Sequence, residues 1–187
     1  MDNSISSKMD LNVGNQSINI DTLSVSDAST HNKLYDKWTL WGHLPHDTDW
    51  TLKSYKQIST INTVEQTIVL YETLPEKMIN NCMLFLMRNG INPMWEDPKN
   101  VKGGCFSYKI HKNIATVWKN LSYTLVGESL TEDKNIRPNI NGITISPKKS
   151  FCIIKIWLAN CDNQNPKVIS EIIGGITSQG CLFKKHI

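Results

Sequence analysis

An indole and a carboxylate stand side by side in Gly90-Ile91-Asn92-Pro93-Met94-Trp95-Glu96-Asp97-Pro98-Lys99-Asn100, a loop pinned by two prolines and closed by Gly103-Gly104. Guanine's Watson–Crick edge offers two donors in a row, N1–H and the N2 amino group. An ionised carboxylate such as Glu96 is the acceptor-only side chain that can take both. Adenine presents an acceptor at N1 and would be repelled. Trp95 supplies a flat face for the base, and because neither residue is proline, backbone N–H groups remain free for the O6 keto oxygen. Taken alone, Glu96 is a solvated surface acid and Glu96-Asp97-Pro98 a good turn. The adjacent Trp95 is what turns the loop into a recognition head.

Other chemistry is sparse. The five cysteines, Cys82, Cys105, Cys152, Cys161 and Cys181, are odd in number and contain no C-x-x-C pair, so buried free thiols are expected rather than disulfides or a zinc knuckle. His43-x-x-His46 with Asp47 and Asp49 has the spacing of half a metal site, but Pro45 spoils helical presentation and a polar loop is the better reading. No Gly-rich phosphate loop, acidic metal cluster or nucleophile–base pair stands out, so no catalytic residue, metal or cofactor is assigned.

The elements that must hold this loop are strand-like runs broken by polar turns. Residues 1–30, rich in Ser, Asn and Asp and without an aromatic residue, read as a flexible tail, with scattered aliphatics from Leu11 to Val25. Residues 31–187 form one domain. Trp38-Thr39-Leu40-Trp41 opens a strand, His43 to Trp50 is a loop, and Tyr55 to Ile61 is the next strand. Thr63 followed by Gln66 is a capping box opening a helix through Leu70. The apolar run Cys82 to Met87 is a buried strand delivering the chain into the Trp95 loop, and Cys105 to Ile110 leaves it. Ile114, Trp118, Leu121 and Leu125 recur with the spacing of one apolar helix stripe, with Lys119, Asn120 and Tyr123 outside it. Asn141-Gly142 is a turn signal, Ile143 to Ile145 and Phe151 to Ala159 are strands around Ser146-Pro147-Lys148-Lys149-Ser150, and Pro166 starts a helix ending at Gly174-Gly175. Cys181-Leu182-Phe183 is a last strand. Strands with three helices and no βαβ alternation make an α+β fold.

At 187 residues, 40% hydrophobic, 20% charged and net +3, the chain suits one well-buried core and an anionic ligand rather than a broad nucleic-acid coat. No apolar run reaches the roughly 18 to 20 residues of a membrane span, and the N-terminus lacks a signal-peptide pattern. An intracellular, cytoplasmic monomer with no membrane contact is expected. Abundant Asn, Lys and Ile suggest an AT-rich genome such as that of a protist or a large DNA virus.

With Trp50 upstream, Lys148 and Trp157 downstream, and the strings Tyr35-Asp36-Lys37-Trp38-Thr39-Leu40-Trp41, Asn62-Thr63-Val64-Glu65 and Gly127-Glu128-Ser129, the chain resembles the eukaryotic translation initiation factor 4E family, which binds the messenger-RNA cap. The similarity runs from about Asn32 onward in one register, and Pro93-Met94-Trp95-Glu96-Asp97 with Gly103-Gly104 is its most specific part. The resemblance implies a curved antiparallel sheet of about seven or eight strands with three helices on its convex back and the cap in its concave face. It implies that Trp50 and Trp95 sandwich the 7-methylguanine, that Glu96 holds its polar edge and that Trp157 abuts the N7 methyl group. Without it, Trp50 would be a loop tryptophan covering core, and Trp157 has a core role as an equal alternative. Strand alternation puts Ile153, Lys155 and Trp157 on one face.

Two departures follow from the same resemblance. Lys148 stands where the family usually has a phosphate-binding arginine, Ile153 where it has a second basic residue and Cys105 where it often has another arginine; Lys155 is expected to offset the loss. On the convex surface that receives a scaffold protein or a repressor, Asn32-Lys33-Leu34, Ile68 and Lys119-Asn120 replace the usual side chains near Val64. The altered surface (Leu34, Val64, Ile68, Lys119, Asn120) is expected to engage the usual scaffold helix weakly. The function implied is binding capped messenger RNA for translation initiation. The alternatives are a cap-binding repressor or decoy that recruits no scaffold and, from another class, a cap-processing enzyme.

Overall fold

Alternation in seven strands divides the described molecule into a packed side and a ligand side. The computed structural model describes residues 31–171 and 175–187; the expected tail over 1–30 lies outside the described residues. The strands are β1 (Lys33–His43), β2 (Tyr55–Thr63), β3 (Met83–Arg88), β4 (Gly104–Ile110), β5 (Ile140–Pro147), β6 (Cys152–Leu158) and β7 (Leu182–Lys185). They form one curved antiparallel sheet in the order β2-β1-β3-β5-β6-β4-β7. Three α-helices, α1 (Val64–Thr73), α2 (Glu76–Asn81) and α3 (Ile114–Val126), accompany it. The α+β expectation holds.

Successive strand residues point to opposite faces. Trp38, Leu40, Leu84, Leu86, Phe106, Ile143, Ile145, Ile154 and Ile156 therefore share one face, where they pack with Leu70 of α1 and Val117, Trp118, Leu121 and Leu125 of α3 into the main core. The residues between them, such as Trp41, Phe85, Met87 and Trp157, point the other way and join Tyr55 and Ile91 in a smaller apolar floor. The second face also carries Thr39, Thr144, Ser146, Lys155 and Lys109, with Cys105 and Ile153 between them.

Local chemistry accounts for the helix starts. Thr63 Oγ1 accepts from Gln66 N at 3.1 Å, and Gln66 Oε1 accepts from Asn62 N at 2.9 Å, so the capping box closes one residue earlier than the ideal. Arg88 at the end of β3 donates to Asp36 at 2.9 Å and to Glu128 at 2.7 Å, with its guanidinium 4.4 Å above Trp38.

Two sequence expectations need correction. Asn141-Gly142 is not a turn: both residues lie inside β5, where the pairing with β6 slips between Ile140 and Gly142 as a bulge. A Cβ on Gly142 would meet Leu86 O at 2.4 Å, so the glycine admits a neighbouring backbone rather than reversing the chain. The helix expected from Pro166 is a single 3-10 turn over Pro166–Val168, capped by Asn165; its expected end at Gly174 lies outside the described residues. The third helix is α2 instead.

Candidate functional site

Three segments converge over the polar face: the β1–β2 loop, the β3–β4 loop and the end of β7. They enclose a cavity of about 510 Å3 lined by Trp50, Trp95, Glu96, Lys155 and Trp157, with Tyr55, Phe85 and His186 among the remaining walls. Five of the six ligand residues expected from sequence thus meet at one site. The sixth, Lys148, is exposed in the β5–β6 hairpin and does not line the cavity.

The β3–β4 loop is welded from within. Asp97, buried, accepts from Asn92 N at 2.9 Å and Lys99 N at 2.8 Å. Asn100 is fully buried; its Nδ2 donates to Asn92 O and Met94 O at 3.1 and 2.8 Å, and its Oδ1 accepts from Asn141 Nδ2 at 2.9 Å. Asn141 also donates to Lys99 O at 2.8 Å. These bonds satisfy the loop's buried polar groups and leave Trp95, 52% exposed, and Glu96 projecting from a rigid base.

Trp50, also 52% exposed, is held differently. The ring of buried His43 stacks against it, centroids 4.2 Å apart and planes within 4°. The His43 ring nitrogens lie 3.2 Å from Leu44 O and 2.9 Å from Asp49 O. The carboxylates of Asp47 and Asp49 accept from backbone N–H groups of Asp49 and Thr51. Three of the residues that look like half a metal site from their spacing, His43, Asp47 and Asp49, are therefore the bracket of an aromatic wall.

Trp157 forms the floor. It is buried, its Nε1 donates to Thr144 Oγ1 at 2.7 Å, and it packs with Tyr55, Phe85, Met87 and Ile91, so the core role and the cavity role coincide. Burial, with the Glu96 carboxylate facing it, pushes the Tyr55 phenol up to about 12. His186 donates from Nδ1 to Asn100 O at 2.7 Å and tilts against Trp157, while its Nε2 is buried without a partner among the described residues. Burial holds this imidazole below its ordinary value, against the pull of the Asn100 carbonyl.

On one wall sit the cations. Cys105 lies between Trp157 and Lys184 in one row across β6, β4 and β7, and Ser107 lies opposite Lys155 in the next. Lys155, Lys184 and Lys185 all line the cavity, so positive charge faces the open side of the aromatic slot. Sequence reasoning missed Lys184, Lys185, His186 and the Asn100–Asn141 pair.

The convex surface also takes shape. Leu34, Val64 and Ile68 meet Tyr123 and Val126 in an apolar groove of about 330 Å3. Lys119 forms an ion pair with Glu72, and Asn120 is exposed beside it.

Comparison with known proteins covers most of the chain. The family model described as Eukaryotic initiation factor 4E matches residues 33–185. Eukaryotic translation initiation factor 4E of Candida albicans is 26% identical over 174 residues, spanning 83% of this chain and 80% of that protein. The eukaryotic translation initiation factor 4E homolog of Acanthamoeba polyphaga mimivirus is 32% identical over 130 residues, 60% of this chain and 47% of that protein. Among solved structures, Ascaris suum eIF4E-3 in complex with an m2,2,7G cap has the same fold, with a TM-score of 0.63 at 23% identity over 70% of this chain and 75% of that one.

Proposed function

The chain belongs to the eukaryotic initiation factor 4E family, and from that premise we propose that it binds the 7-methylguanosine cap of messenger RNA for translation initiation and leaves the cap chemically unchanged. The observation that carries the reading is that Trp50, Trp95, Glu96 and Trp157, drawn from three separate parts of the chain, line one cavity of about 510 Å3.

In this reading Trp50 and Trp95 clamp the base. Methylation at N7 makes guanine cationic, and a cation between two electron-rich faces gains on the order of 1 kcal/mol or more per face once desolvated. That increment separates a capped end from ordinary guanosine. Glu96 accepts from N1–H and the N2 amino group, and Trp157 lies against the methyl group. Lys155 takes the phosphate bridge where the family's second basic position is Ile153, and Lys148 approaches from the hairpin when the phosphates extend that way. The protein acts as a cytoplasmic monomer whose partners are capped messenger RNA and, through the altered convex groove, a scaffold or repressor.

Calorimetry with a methylated cap triphosphate and with guanosine triphosphate tests this. The methylated ligand is expected to bind more tightly by about tenfold or more, and Trp50→Ala should shrink the difference to the part that Trp95 alone supplies. Equal affinity for the two ligands would overturn the assignment. Lys155→Ala is expected to weaken the triphosphate while sparing the methylated nucleoside; equal losses would remove Lys155 from the phosphate role.

A further inference from the structure

The polar face of the sheet continues past the cavity, and what lies there is neither acidic nor bare. Register pairs Cys105 with Trp157, Ser107 with Lys155 and Lys109 with Ile153, so the side chain of Lys109 emerges on the cavity's face farther along the sheet. Phe151, half-buried at the foot of β6, receives the Lys109 ammonium 4.3 Å from its ring centroid. The His111 ring lies 6.1 Å away at 48°. Lys148 and Lys149, both exposed, stand on the hairpin that Phe151 closes through its carbonyl, which accepts from Lys148 N at 2.8 Å. Between Asp97 and Glu128, and again between Asp133 and Asp162, the chain contains no acidic residue, so the strands on this side of the sheet carry positive charge alone.

We propose that Phe151, with Lys109, His111 and the Lys148–Lys149 hairpin, is a second nucleotide platform that takes the RNA immediately following the cap, the base stacking on Phe151 and the backbone running over the lysines. An aromatic ring flanked by cations is the arrangement that holds single-stranded nucleic acid without reading its sequence, because every base has a face to stack. Continuity with the cavity argues for this occupant. Phe151 immediately precedes β6 and lies four residues from Lys155, roughly 13 Å at the rise of an extended chain. A strand leaving the phosphate bridge covers that distance within its first few nucleotides. Lys148, absent from the cavity, then has a backbone to contact.

The inference rests on the cap-binding reading, and the experiment separates the two. Affinities are measured for a mononucleotide cap triphosphate and for a capped single-stranded oligoribonucleotide of about five nucleotides, with the unchanged protein, Phe151→Ala, Phe151→Trp and Lys109→Ala. The unchanged protein should bind the capped oligonucleotide more tightly than the mononucleotide. Phe151→Ala should lose that gain, about fivefold or more, while keeping the mononucleotide affinity, which also shows that the variant is folded. Phe151→Trp should restore the gain, since the larger ring still stacks. Lys109→Ala should flatten the salt dependence of oligonucleotide binding by about 0.7 in the log–log slope for one lost phosphate contact. Equal affinity of the unchanged protein for the two ligands, or a gain that survives Phe151→Ala, overturns the platform and leaves the cap site standing. Failure of the unchanged protein to bind either ligand overturns the cap reading and the platform with it.

Discussion

Replacing Glu96 with glutamine keeps the shape of the side chain and turns one of its two acceptors into a donor. That donor then faces a guanine N–H, and a polar pair left unmade in a closed slot costs about 1 to 3 kcal/mol. Glu96→Gln is therefore expected to weaken a methylated cap analogue by about 10- to 100-fold, read by calorimetry, with thermal stability little changed because Glu96 is exposed. A loss below twofold would mean that the carboxylate does not face the base. His186 makes a different prediction. Burial lowers its folded value beneath 6.5, so its contribution to stability is complete above that pH and is lost as pH falls toward the folded value. Melting temperatures followed from about pH 7.5 to about pH 5 should decline more steeply in the unchanged protein than in His186→Asn; parallel curves would contradict this. Trp95 and Glu96 were legible in sequence because their chemistry sits in one contiguous string. Asn100, Asn141 and His186 were not, because their bonds join residues 41 and 86 positions apart.

Elements with a sustained period were equally legible. The apolar stripe of α3 and the capping residues of α1 are visible as spacing, and both helices form where that spacing places them. The six-residue α2 is too short to show a period. Asn141-Gly142 carries turn chemistry that the sheet overrules, since the close approach of Leu86 demands a glycine and Asn141 is occupied in tethering the Trp95 loop. This tether makes the loop one mechanical unit with β5. Asn100→Ala removes two bonds to loop carbonyls and one of the two bonds made by the Asn141 amide, which keeps its bond to Lys99 O, and is expected to cost about 2 to 4 kcal/mol in urea denaturation. It should also weaken cap binding although Asn100 does not line the cavity. Unchanged stability would show that the loop holds itself by other means.

At the scale of the whole molecule, one sheet has two uses: its convex side is covered by helices and its concave side floors the candidate cavity. The convex groove keeps apolar walls in Leu34, Val64, Tyr123 and Val126, but at Ile68 it has an aliphatic side chain where the resemblance expects an indole, and Lys119 is engaged with Glu72. Loss of an aromatic anchor costs about 2 kcal/mol or more. A scaffold-derived helical peptide is therefore expected to bind more weakly than about micromolar, and Ile68→Trp to strengthen it by about tenfold or more; tight binding without the substitution would refute this. Exposure sorts the six tryptophans, with Trp41 half-buried between the extremes. Trp38, Trp118 and Trp157 are buried, while Trp50 and Trp95 each expose about half their surface, and those two wall the slot. The chain thus carries its own optical reporter: a ligand that enters should extinguish the long-wavelength, water-facing part of the emission and leave the short-wavelength glow of Trp38 and Trp118, away from the cavity, as an internal standard.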